Sequence, residues 1–522
     1  MSAIVSYSLL GAIASASIVF AWYCQRRALA VPLPPGPRPW PILGNLKDLR
    51  PEQPWLTASQ WARKYGSIVY VHVLGKGIIY LNTEEAVSDI MEKRTTIYSD
   101  KPELIMLPEL CGAGNMLAFT GYGDSVLRQR SLMTHFMNQM NIEQGHHLLE
   151  FSVHGLATRV LANPDHCFKH IRQYAAGIVL RIVYGIELRE GDGSLKYLDL
   201  VERTTSLLAN QITARGGIWA VDIFPFLKHL PAWFPGAGFK HKAALWRETV
   251  DALRELPWAA VKANVASGTA SPSFCSMFLN QSGRPLTAQE ELDIKNSANS
   301  MYTASMDTTA AVASHFLLAM LFYPGIMRRA QQELDHVLGG NRLPTLADRG
   351  RLPFIDAIFE ESLRWGCPMP LGLPHAAMED DEYKGMRIPK GSIVFANIWN
   401  ILRDENIYPN PDIFEPERFL DKSQDGSRHQ RQRDPRPYVF GFGRRRCPAT
   451  HLVESSGWLL IATMLSVFDI LRVVDPITRH PIEPQIIFEN CAFRTPSEFK
   501  VNIRPRPTAG ILLSQPPFGS SV

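Results

Sequence analysis

Apolar residues recur at helical spacing along most of this chain. The pattern is longest over residues 289–321 and 451–468, and both segments are predicted as helices. Residues 67–73 and 78–81 are instead short runs of strand type, and the glycine-containing segment 75–77 between them supplies a turn. The pattern therefore predicts a mainly α-helical protein with a β-hairpin near its beginning.

The first residues follow a different pattern. Residues 3–24 form a run of 22 residues without a charged side chain, and at about 1.5 Å per residue a helix of that length crosses the hydrocarbon layer of a membrane. Arg26 and Arg27 follow the run and favour a cytosolic location for the rest of the chain. A cleaved signal peptide is the alternative, but no basic residue precedes the apolar run.

Prolines dominate the segment after these arginines. Residues 33–41 contain five prolines, which predicts a stiff, extended strap. The predicted organisation is a membrane anchor over 1–24, a basic and proline-rich hinge over 25–45, one catalytic domain over 46–510 and a flexible tail over 511–522. No internal repeat or flexible linker is evident within the long domain.

Composition narrows the class of protein. Of the 522 residues, 46% are hydrophobic and 20% are charged, which is enough to bury a large core. The net charge of +4 is too small to indicate binding to nucleic acid. The seven cysteines are scattered and contain no Cys-x-x-Cys pair, which argues against a disulfide framework or a zinc site and favours a reducing compartment.

One cysteine stands in a distinctive setting. Residues 440–449 read Phe-Gly-Phe-Gly-Arg-Arg-Arg-Cys-Pro-Ala, and the cysteine is Cys447. A thiolate is a soft, strongly donating metal ligand, and the flanking arginines are expected to lower the pKa of the thiol. Gly441 and Gly443 permit a tight turn, and Pro448 suits the first turn of a helix whose positive end faces the sulfur. The pattern suits a cysteine held rigidly beneath a haem iron, and a buried cysteine after a surface turn is the alternative.

This segment resembles the haem-ligand loop of the cytochromes P450, with Phe440, Gly443, Arg445 and Cys447 in the family's positions and Ala449 in place of its glycine. The resemblance implies the cytochrome P450 fold, mainly α with small β-sheets, in which a haem b lies between the oxygen-activation helix and the helix after the cysteine. It also implies that Cys447 is the axial ligand of the haem iron and that Phe440, Gly443 and Arg445 help to bind the haem.

A second motif lies inside the longest predicted helix. Residues 302–309 read Tyr-Thr-Ala-Ser-Met-Asp-Thr-Thr, and threonines beside an aspartate are poor helix formers, which indicates a local requirement. The segment resembles the oxygen-activation motif of the same family, with Ser305 where glycine is usual. The resemblance implies that Thr308 hydrogen-bonds dioxygen at the haem and that Asp307 relays protons. A buried helix with ordinary threonines is the alternative.

Two further motifs are expected to be structural. Glu361 and Arg364 lie three residues apart, on one face of a predicted helix, and residues 416–419 read Pro-Glu-Arg-Phe. They resemble the Glu-x-x-Arg helix and the Pro-Glu-Arg-Phe segment of the family. The resemblance implies that Glu361, Arg364 and Arg418 form a buried charge triad in the core that presents Cys447.

The segment around Arg130 resembles the family's Trp-x-x-x-Arg helix, but Val126 stands where tryptophan would contact a haem propionate. By resemblance, Arg130, His375 and Arg445 are the partners of the two propionates, and charge-assisted hydrogen bonds of this kind orient the haem. For His375 the alternative is an ordinary loop histidine.

Together these resemblances imply a haem-thiolate monooxygenase that inserts one oxygen atom from O2 into a hydrophobic small molecule, like the membrane-bound fungal enzymes of secondary metabolism. No flavin or nicotinamide fingerprint is evident, so NADPH-derived electrons are expected from a separate cytochrome P450 reductase. The expected location is the endoplasmic reticulum membrane, single-pass, with the catalytic domain on the cytosolic face. A haem-thiolate isomerase or dehydratase, and a non-catalytic haem-binding sensor, are the alternatives.

Four segments are expected to line the substrate pocket, and all four are mostly apolar. They are residues 101–119, 298–305, 369–373 and 486–493. They favour a hydrophobic substrate, and a terpenoid-like compound is preferred over a polyketide or an indole amine. Residues 224–236 form an apolar, proline-broken loop that in this family roofs the substrate channel and contacts membrane lipid. A buried core loop is the alternative.

Overall fold

Helices dominate the structure, a computed structural model that describes residues 31–50, 52–139, 142–189, 191–212, 219–281, 284–421, 431–488 and 492–514. In chain order the α-helices are α1 (Pro54–Tyr65), α2 (Glu84–Val87), α3 (Asp124–Gln139), α4 (Ile142–Ala162), α5 (Cys167–Tyr184), α6 (Leu195–Ser206), α7 (Ala220–Ile223), α8 (Gly238–Ala266), α9 (Phe274–Gln281), α10 (Ala288–Phe322), α11 (Pro324–Leu338), α12 (Pro353–Gly366), α13 (Ile398–Ile401), α14 (Arg436–Val439), α15 (Thr450–Val467) and α16 (Ala509–Ser514). The predicted class, mainly α with small sheets, is confirmed.

Short strands form three small sheets within the described residues. In chain order the strands are β1 (Ile68–Val73), β2 (Lys76–Leu81), β3 (His375–Ala376), β4 (Asp381–Tyr383), β5 (Met386–Ile388), β6 (Ile393–Ala396), β7 (Phe468–Leu471) and β8 (Asn502–Pro505). The largest sheet has the order β1-β2-β6-β3, in which β2 and β6 run parallel. The other two are the antiparallel pairs β4-β5 and β7-β8.

The predicted hairpin is present as β1 and β2, which pair antiparallel. Its turn is displaced from the predicted segment 75–77, because Lys76 and Gly77 already belong to β2. The two loop residues are Leu74 and Gly75, with φ of 50° and 90°. Positive φ at both positions is typical of a two-residue type I′ connection. Leucine rarely adopts this conformation, so the sequence pattern points to the glycines instead.

The central helix α10 covers the predicted segment 289–321. Thr287 and Glu290 form a capping box at its start, since the Glu290 N–H donates to the Thr287 hydroxyl at 3.2 Å and the Thr287 N–H donates to the Glu290 carboxylate at 2.8 Å. The second half of the helix is buried on all sides. It packs against α3, α5, α6, α12 and α15, so the oxygen-activation motif predicted on this helix lies at the centre of the fold.

Two predicted terminal features lie largely outside the described residues. The anchor over 3–24 and the two arginines after it are not among them, and of the tail over 511–522 only the part up to Ser514 is described, where α16 ends with Leu512 buried. Among the described helices, α10 is the one long and apolar enough to cross a membrane, but most of it is buried in the core.

The described part of the proline-rich strap lies against the sheets. The Pro35 carbonyl accepts a hydrogen bond from the Tyr70 N–H at 3.0 Å, and the Pro32 carbonyl accepts one from the Arg387 N–H at 2.8 Å. A Cβ atom on Gly36 would lie 2.0 Å from the Tyr70 carbonyl oxygen, so a larger residue does not fit there. The strap is thereby fixed to β1 and β5.

Candidate functional site

Cys447 lies in a loop that leads into α15, and the backbone of this loop is fixed. The Cys447 N–H donates to the Phe440 carbonyl at 2.8 Å, which closes the loop on itself. Gly441 and Gly443 have φ of 77° and 54°. A Cβ atom on Gly443 would lie 2.6 Å from the Met91 carbonyl oxygen, so this position requires glycine for its space as well as for its φ. The loop therefore presents the sulfur from a rigid support.

The helix after Cys447 begins later than the sequence pattern predicts. Because α15 starts at Thr450, Pro448 precedes the helix instead of occupying its first turn. The Thr450 hydroxyl donates to the Cys447 carbonyl at 2.9 Å. Ala449 has φ of −96°, a conformation that alanine adopts without strain. The replacement of the motif's glycine by Ala449 is therefore compatible with the loop.

The electrostatic environment of the Cys447 thiol combines two opposing effects. A hydrogen bond from the Ala449 backbone lowers its pKa, and so do the charges of Arg130 and of Arg446, of which Arg446 is one of the flanking arginines. Burial of the side chain is the larger effect and leaves the pKa above its ordinary value. Coordination to a metal cation deprotonates a thiol outright. A thiolate at Cys447 would therefore require a bound metal in addition to the arginines.

Arg445 is anchored to the segment before α3. Its Nε donates to the Ser99 carbonyl at 2.7 Å, its Nη2 to the Thr120 carbonyl at 2.9 Å and its Nη1 to the Leu117 carbonyl at 3.2 Å. A guanidinium has five N–H donors, so these bonds fix its plane and leave further donors for an anion.

Three more basic side chains lie near Arg445, and each donates to a backbone carbonyl: Arg130 to Arg446 (2.9 Å), His375 through Nδ1 to Tyr98 (2.6 Å) and Lys101 to Pro374 (2.9 Å). For His375 the short contact to a carbonyl places a proton on Nδ1, so Nε2 accepts in the neutral ring and can donate to an anion only when the ring is protonated. Together with Arg445, these three residues form the basic cluster.

The basic cluster holds more positive charge than the protein compensates. Burial is the main reason why the pKa falls to about 7 for Lys101, about 10 for Arg445 and about 3 for His375, and it also lowers the pKa of Arg130. Repulsion adds to burial, because the charge of Arg445 lowers the pKa of both Lys101 and His375. Asp100 opposes this effect, but no described carboxylate forms a salt bridge with any member of the cluster. The cluster suits a ligand that carries negative charge.

The middle of α10 is less covered than the half of the helix that follows it. Ala304 is exposed and Thr308 is half-buried. The Thr308 hydroxyl donates to the Ala304 carbonyl at 3.0 Å, so its oxygen stays available to accept a hydrogen bond. The Ser305 hydroxyl donates to the Tyr302 carbonyl at 2.8 Å, and its donor is therefore satisfied within the helix.

The Asp307 side chain points in a different direction from the Thr308 side chain. The polar Thr205 side chain on α6 and the charge of Arg172 lower the pKa of the Asp307 carboxyl group. Burial is the larger effect and raises the pKa above its ordinary value. Adjacent residues of a helix point about 100° apart, and no hydrogen bond joins the two side chains among the described contacts. Asp307 is thus a carboxyl group whose environment helps it to hold a proton.

Glu361, Arg364 and Arg418 come together in the core, with their side chains fully buried. Arg364 donates from Nε to Glu361 Oε2 at 2.7 Å and from Nη2 to Oε1 at 2.8 Å, while Arg418 Nε donates to Oε1 at 3.2 Å. Arg364 also donates to the carbonyls of Leu402, Pro411 and Ile413. The three side chains therefore tie α12 to the long segment that precedes the Cys447 loop.

Val126 is fully buried on α3 and offers no donor. Two residues later, Arg128 forms an ion pair with Asp293 on α10, with Nε and Oδ2 2.5 Å apart. This ion pair joins two helices, although the Arg128 side chain stays 46% exposed to solvent. Arg130, one turn after Val126, is the residue of this helix that belongs to the basic cluster.

These donors fit a haem. Cys447 supplies a soft sulfur ligand from a rigid loop, and its side chain is only partly covered although it lies deep in the protein. Arg130, His375 and Arg445 would hold the two propionates, which supply the negative charge that the basic cluster lacks. Sequence reasoning missed Lys101, which fell only within the pocket range 101–119, because a single lysine after an aspartate forms no recognisable pattern.

Comparisons with known proteins show the family of the chain. The family model for cytochrome P450 matches residues 34–488. Cytochrome P450 monooxygenase 208 of Postia placenta is 40% identical over 94% of this chain and 93% of its own length. Cytochrome P450 monooxygenase claT of Ampulloclitocybe clavipes is 36% identical over 94% of each protein. Tryptamine 4-monooxygenase of Psilocybe cyanescens is 38% identical over 92% of this chain and 94% of its own length.

Proposed function

The chain belongs to the cytochrome P450 family, and on this premise we propose that it is a haem-thiolate enzyme of fungal-type secondary metabolism that oxidises a terpenoid-like small molecule. As its relatives are, it is a monooxygenase with the P450 fold. Electrons would come from NADPH through a separate cytochrome P450 reductase. Residues 1–24 would anchor the enzyme in the endoplasmic reticulum membrane, single-pass, with the catalytic domain on the cytosolic side.

The observation that carries the proposal is the rigid Cys447 loop beside an uncompensated basic cluster. When bound, a haem with an axial thiolate supplies the chemistry that activates dioxygen. The chain's own part is to fix the sulfur through the Phe440 carbonyl and to hold the propionates with Arg130, His375 and Arg445. Gly443 keeps the loop close to the Met91 carbonyl, so that the sulfur does not shift.

Proton delivery is the role proposed for Asp307 and Thr308. Asp307 is half-buried and has a raised pKa, so it can carry a proton at this site. The Thr308 oxygen can accept one hydrogen bond while its proton is donated to the Ala304 carbonyl. The two residues would therefore act in sequence, the carboxyl group as proton source and the hydroxyl as the polar group beside the haem.

The pocket side of the domain favours an uncharged substrate. Met106, Leu107 and Met116 form a buried apolar cluster with Leu207 and Leu208 of the segment after α6. In the same region Glu109 is exposed and paired with Lys228, whose Nζ lies 3.0 Å from Oε2. An indole amine, the substrate class in the name of the tryptamine relative, would need a carboxylate for its ammonium group. A terpenoid-like compound needs apolar contact alone.

Contact with membrane lipid is proposed for the loop over residues 224–236. Trp233 is 80% exposed and Phe226 is 64% exposed, which disfavours a buried core loop. Lys228 and Lys240 lie beside them, and both donate to main-chain or acidic groups of this region. Exposed aromatic residues next to lysines suit the interface of a membrane.

The activity is tested with the purified full-length enzyme, a cytochrome P450 reductase and NADPH. Terpenoid, aromatic polyketide and tryptamine compounds are screened first by the spectral shift of the haem on binding, then by NADPH consumption and by incorporation of ¹⁸O from O2. We expect a terpenoid to stimulate NADPH consumption and to gain one labelled oxygen atom. Conversion without NADPH would favour an isomerase or dehydratase, and binding that never stimulates electron transfer would favour a haem-binding sensor.

An Asp307→Asn variant is expected to lower the rate of product formation by roughly 10²-fold, the usual contribution of a positioned acid or base. Asparagine keeps the size of the side chain but cannot carry the proton. The measurement is product formed per NADPH consumed, together with the solvent isotope effect, which should rise if proton delivery becomes limiting.

Glu291→Gln is the matched control, since Glu291 lies on the same helix and pairs with Lys262 at the surface. Its product yield per NADPH should equal that of the wild type. Wild-type yield and isotope effect in the Asp307→Asn variant would contradict the proposed relay.

A further inference from the structure

We propose that Arg494 is a positioning residue for the substrate pocket, because it joins three of the four segments that are expected to line it. These are residues 298–305 on α10, residues 369–373 and the described part of residues 486–493. The inference rests on the proposed function and adds a residue that sets the shape of the same pocket. None of the motifs found in the sequence includes this arginine.

The Arg494 side chain reaches α10 and the end of α12. Its Nη1 donates to His315 Nε2 at 2.7 Å and to the Gly366 carbonyl at 2.9 Å. His315 lies on α10, the same helix as the pocket segment 298–305. Its Nδ1 lies 2.7 Å from the Ala311 carbonyl, so Nδ1 carries the proton and Nε2 accepts. Burial and the charge of Arg494 lower the pKa of His315 well below its ordinary value, so the ring stays neutral.

The backbone of Arg494 and one of its stacking partners fix the segment 369–373. The Arg494 N–H donates to the Pro368 carbonyl at 2.9 Å. Its guanidinium stacks on the Trp399 ring, with the central carbon 4.6 Å from the ring centroid. The Trp399 N–H in turn donates to the Pro370 carbonyl at 2.9 Å. The start of this segment is thus held at two carbonyls, and its end leads directly into the basic cluster.

The third segment packs on the other aromatic partner of Arg494. The guanidinium carbon lies 4.1 Å from the centroid of the Phe488 ring. The same ring is nearly parallel to the His315 ring, at 16° and with the centroids 6.1 Å apart. The Ser497 N–H donates to the Ile487 carbonyl at 2.7 Å, which pairs the chain before Arg494 with the chain after it. Arg494 and His315 therefore hold this segment against α10.

The partners of Arg494 are unusual for a buried charge. Arg494 is 9% exposed, and no described carboxylate forms a salt bridge with it. Burial lowers its pKa to about 10, so the side chain stays charged near neutral pH. Carbonyl groups, a neutral histidine and two aromatic rings surround the charge instead. A guanidinium suits this site because its donors lie in one plane and its faces stack on rings. The alternative is an arginine that stabilises the core without an effect on the pocket.

The test uses the full-length holoenzyme and two azoles that coordinate haem iron. Imidazole is too small to reach the three segments, whereas clotrimazole is bulky and apolar and needs an ordered pocket. Spectral titration gives the Kd of each azole. Haem content and the carbon monoxide difference band report whether the haem site is intact, and circular dichroism reports folding. The variants are Arg494→Lys, His315→Phe and His315→Gln.

Arg472→Lys is the matched control. Arg472 also contacts α10, because its Nε donates to the Leu321 carbonyl at 3.1 Å and its guanidinium carbon lies 5.4 Å from the centroid of the Phe322 ring. It follows β7 and lies outside the three pocket segments. The same substitution there should leave the Kd of both azoles at the wild-type values.

We expect Arg494→Lys to raise the Kd of clotrimazole about tenfold or more, the effect of one altered apolar contact in a pocket, because an ammonium cannot hold all of these partners. The Kd of imidazole and the haem content should not change. His315→Phe should show the same difference between the two azoles, since phenylalanine keeps a ring beside Phe488 but accepts no hydrogen bond. Glutamine accepts through its amide oxygen, so His315→Gln should restore clotrimazole binding.

A folded Arg494→Lys variant that binds both azoles like the wild type would overturn the inference. Equal weakening of imidazole and clotrimazole would overturn it as well, because that result indicates a general loss of structure. If Arg494→Lys does not accumulate as folded protein, the two His315 variants decide: the same clotrimazole Kd in both overturns the inference, and tighter binding by His315→Gln supports it. Failure of the haem site is distinguishable, because the wild-type protein would then give no azole spectrum.

Discussion

A Cys447→Ser variant is expected to lose monooxygenase turnover completely, together with the carbon monoxide difference band of the reduced haem-thiolate enzyme. Serine is close to cysteine in size, and the bond from the residue 447 N–H to the Phe440 carbonyl does not involve the side chain. The loop should therefore persist. What disappears is the soft, strongly donating ligand on which the family's oxygen chemistry depends. Carbon monoxide difference spectra and product formation with the reductase measure the effect.

The matched control is Cys167→Ser. Cys167 is fully buried at the start of α5, away from the Cys447 loop, and burial raises the pKa of its thiol to about 12. The same substitution there changes packing without touching the proposed ligand, so its difference band should be native. A native band in the Cys447→Ser variant would reject the haem-thiolate assignment and every role derived from it.

Local sequence features account for the elements that were predicted well. The segment 289–321 was recognisable because its apolar pattern is long, and the structure adds the capping box of Thr287 and Glu290 that sets its start. The helix of 451–468 was recognisable for the same reason, although Phe468 already belongs to β7. The hairpin of β1 and β2 was predicted, but its turn was misplaced because Leu74 adopts a conformation that leucine seldom takes.

Contacts between residues that are distant in the chain could not be predicted from the sequence. The parallel pairing of β2 with β6 places Ile78 opposite Ile393. No local sequence pattern indicates such a contact. The same holds for the hydrogen bond from Lys101 to the Pro374 carbonyl. The pKa of a side chain depends on its burial as much as on its neighbours in the sequence. The pKa of Cys447 shows this, since its flanking arginines were visible in the sequence but its burial was not.

A Glu361→Ala variant is expected to be destabilised by about 3–5 kcal/mol, the cost of leaving buried charges without their partner. The Glu361 carboxylate accepts three hydrogen bonds from Arg364 and Arg418 and a fourth from the Glu415 N–H at 2.8 Å. Alanine leaves the Arg364 guanidinium in the core without a carboxylate, while Arg418 keeps its ion pair with the exposed Glu415. Urea unfolding of the purified protein and the haem content per chain measure the effect, and haem incorporation should be largely lost.

Glu360→Gln is the control that tests whether burial of the arginine partners causes the loss of stability. Glu360 precedes Glu361 on α12 and is also buried, but its partners Arg431 and Arg436 are 42% and 22% exposed and remain hydrated when the charge is removed. Burial raises the pKa of Glu360 to about 7, so glutamine replaces a carboxyl group that is already partly neutral near pH 7. We expect a small change in its unfolding midpoint and normal haem content. If Glu361→Ala behaved like Glu360→Gln in both measurements, the triad would not be what fixes the core beneath Cys447.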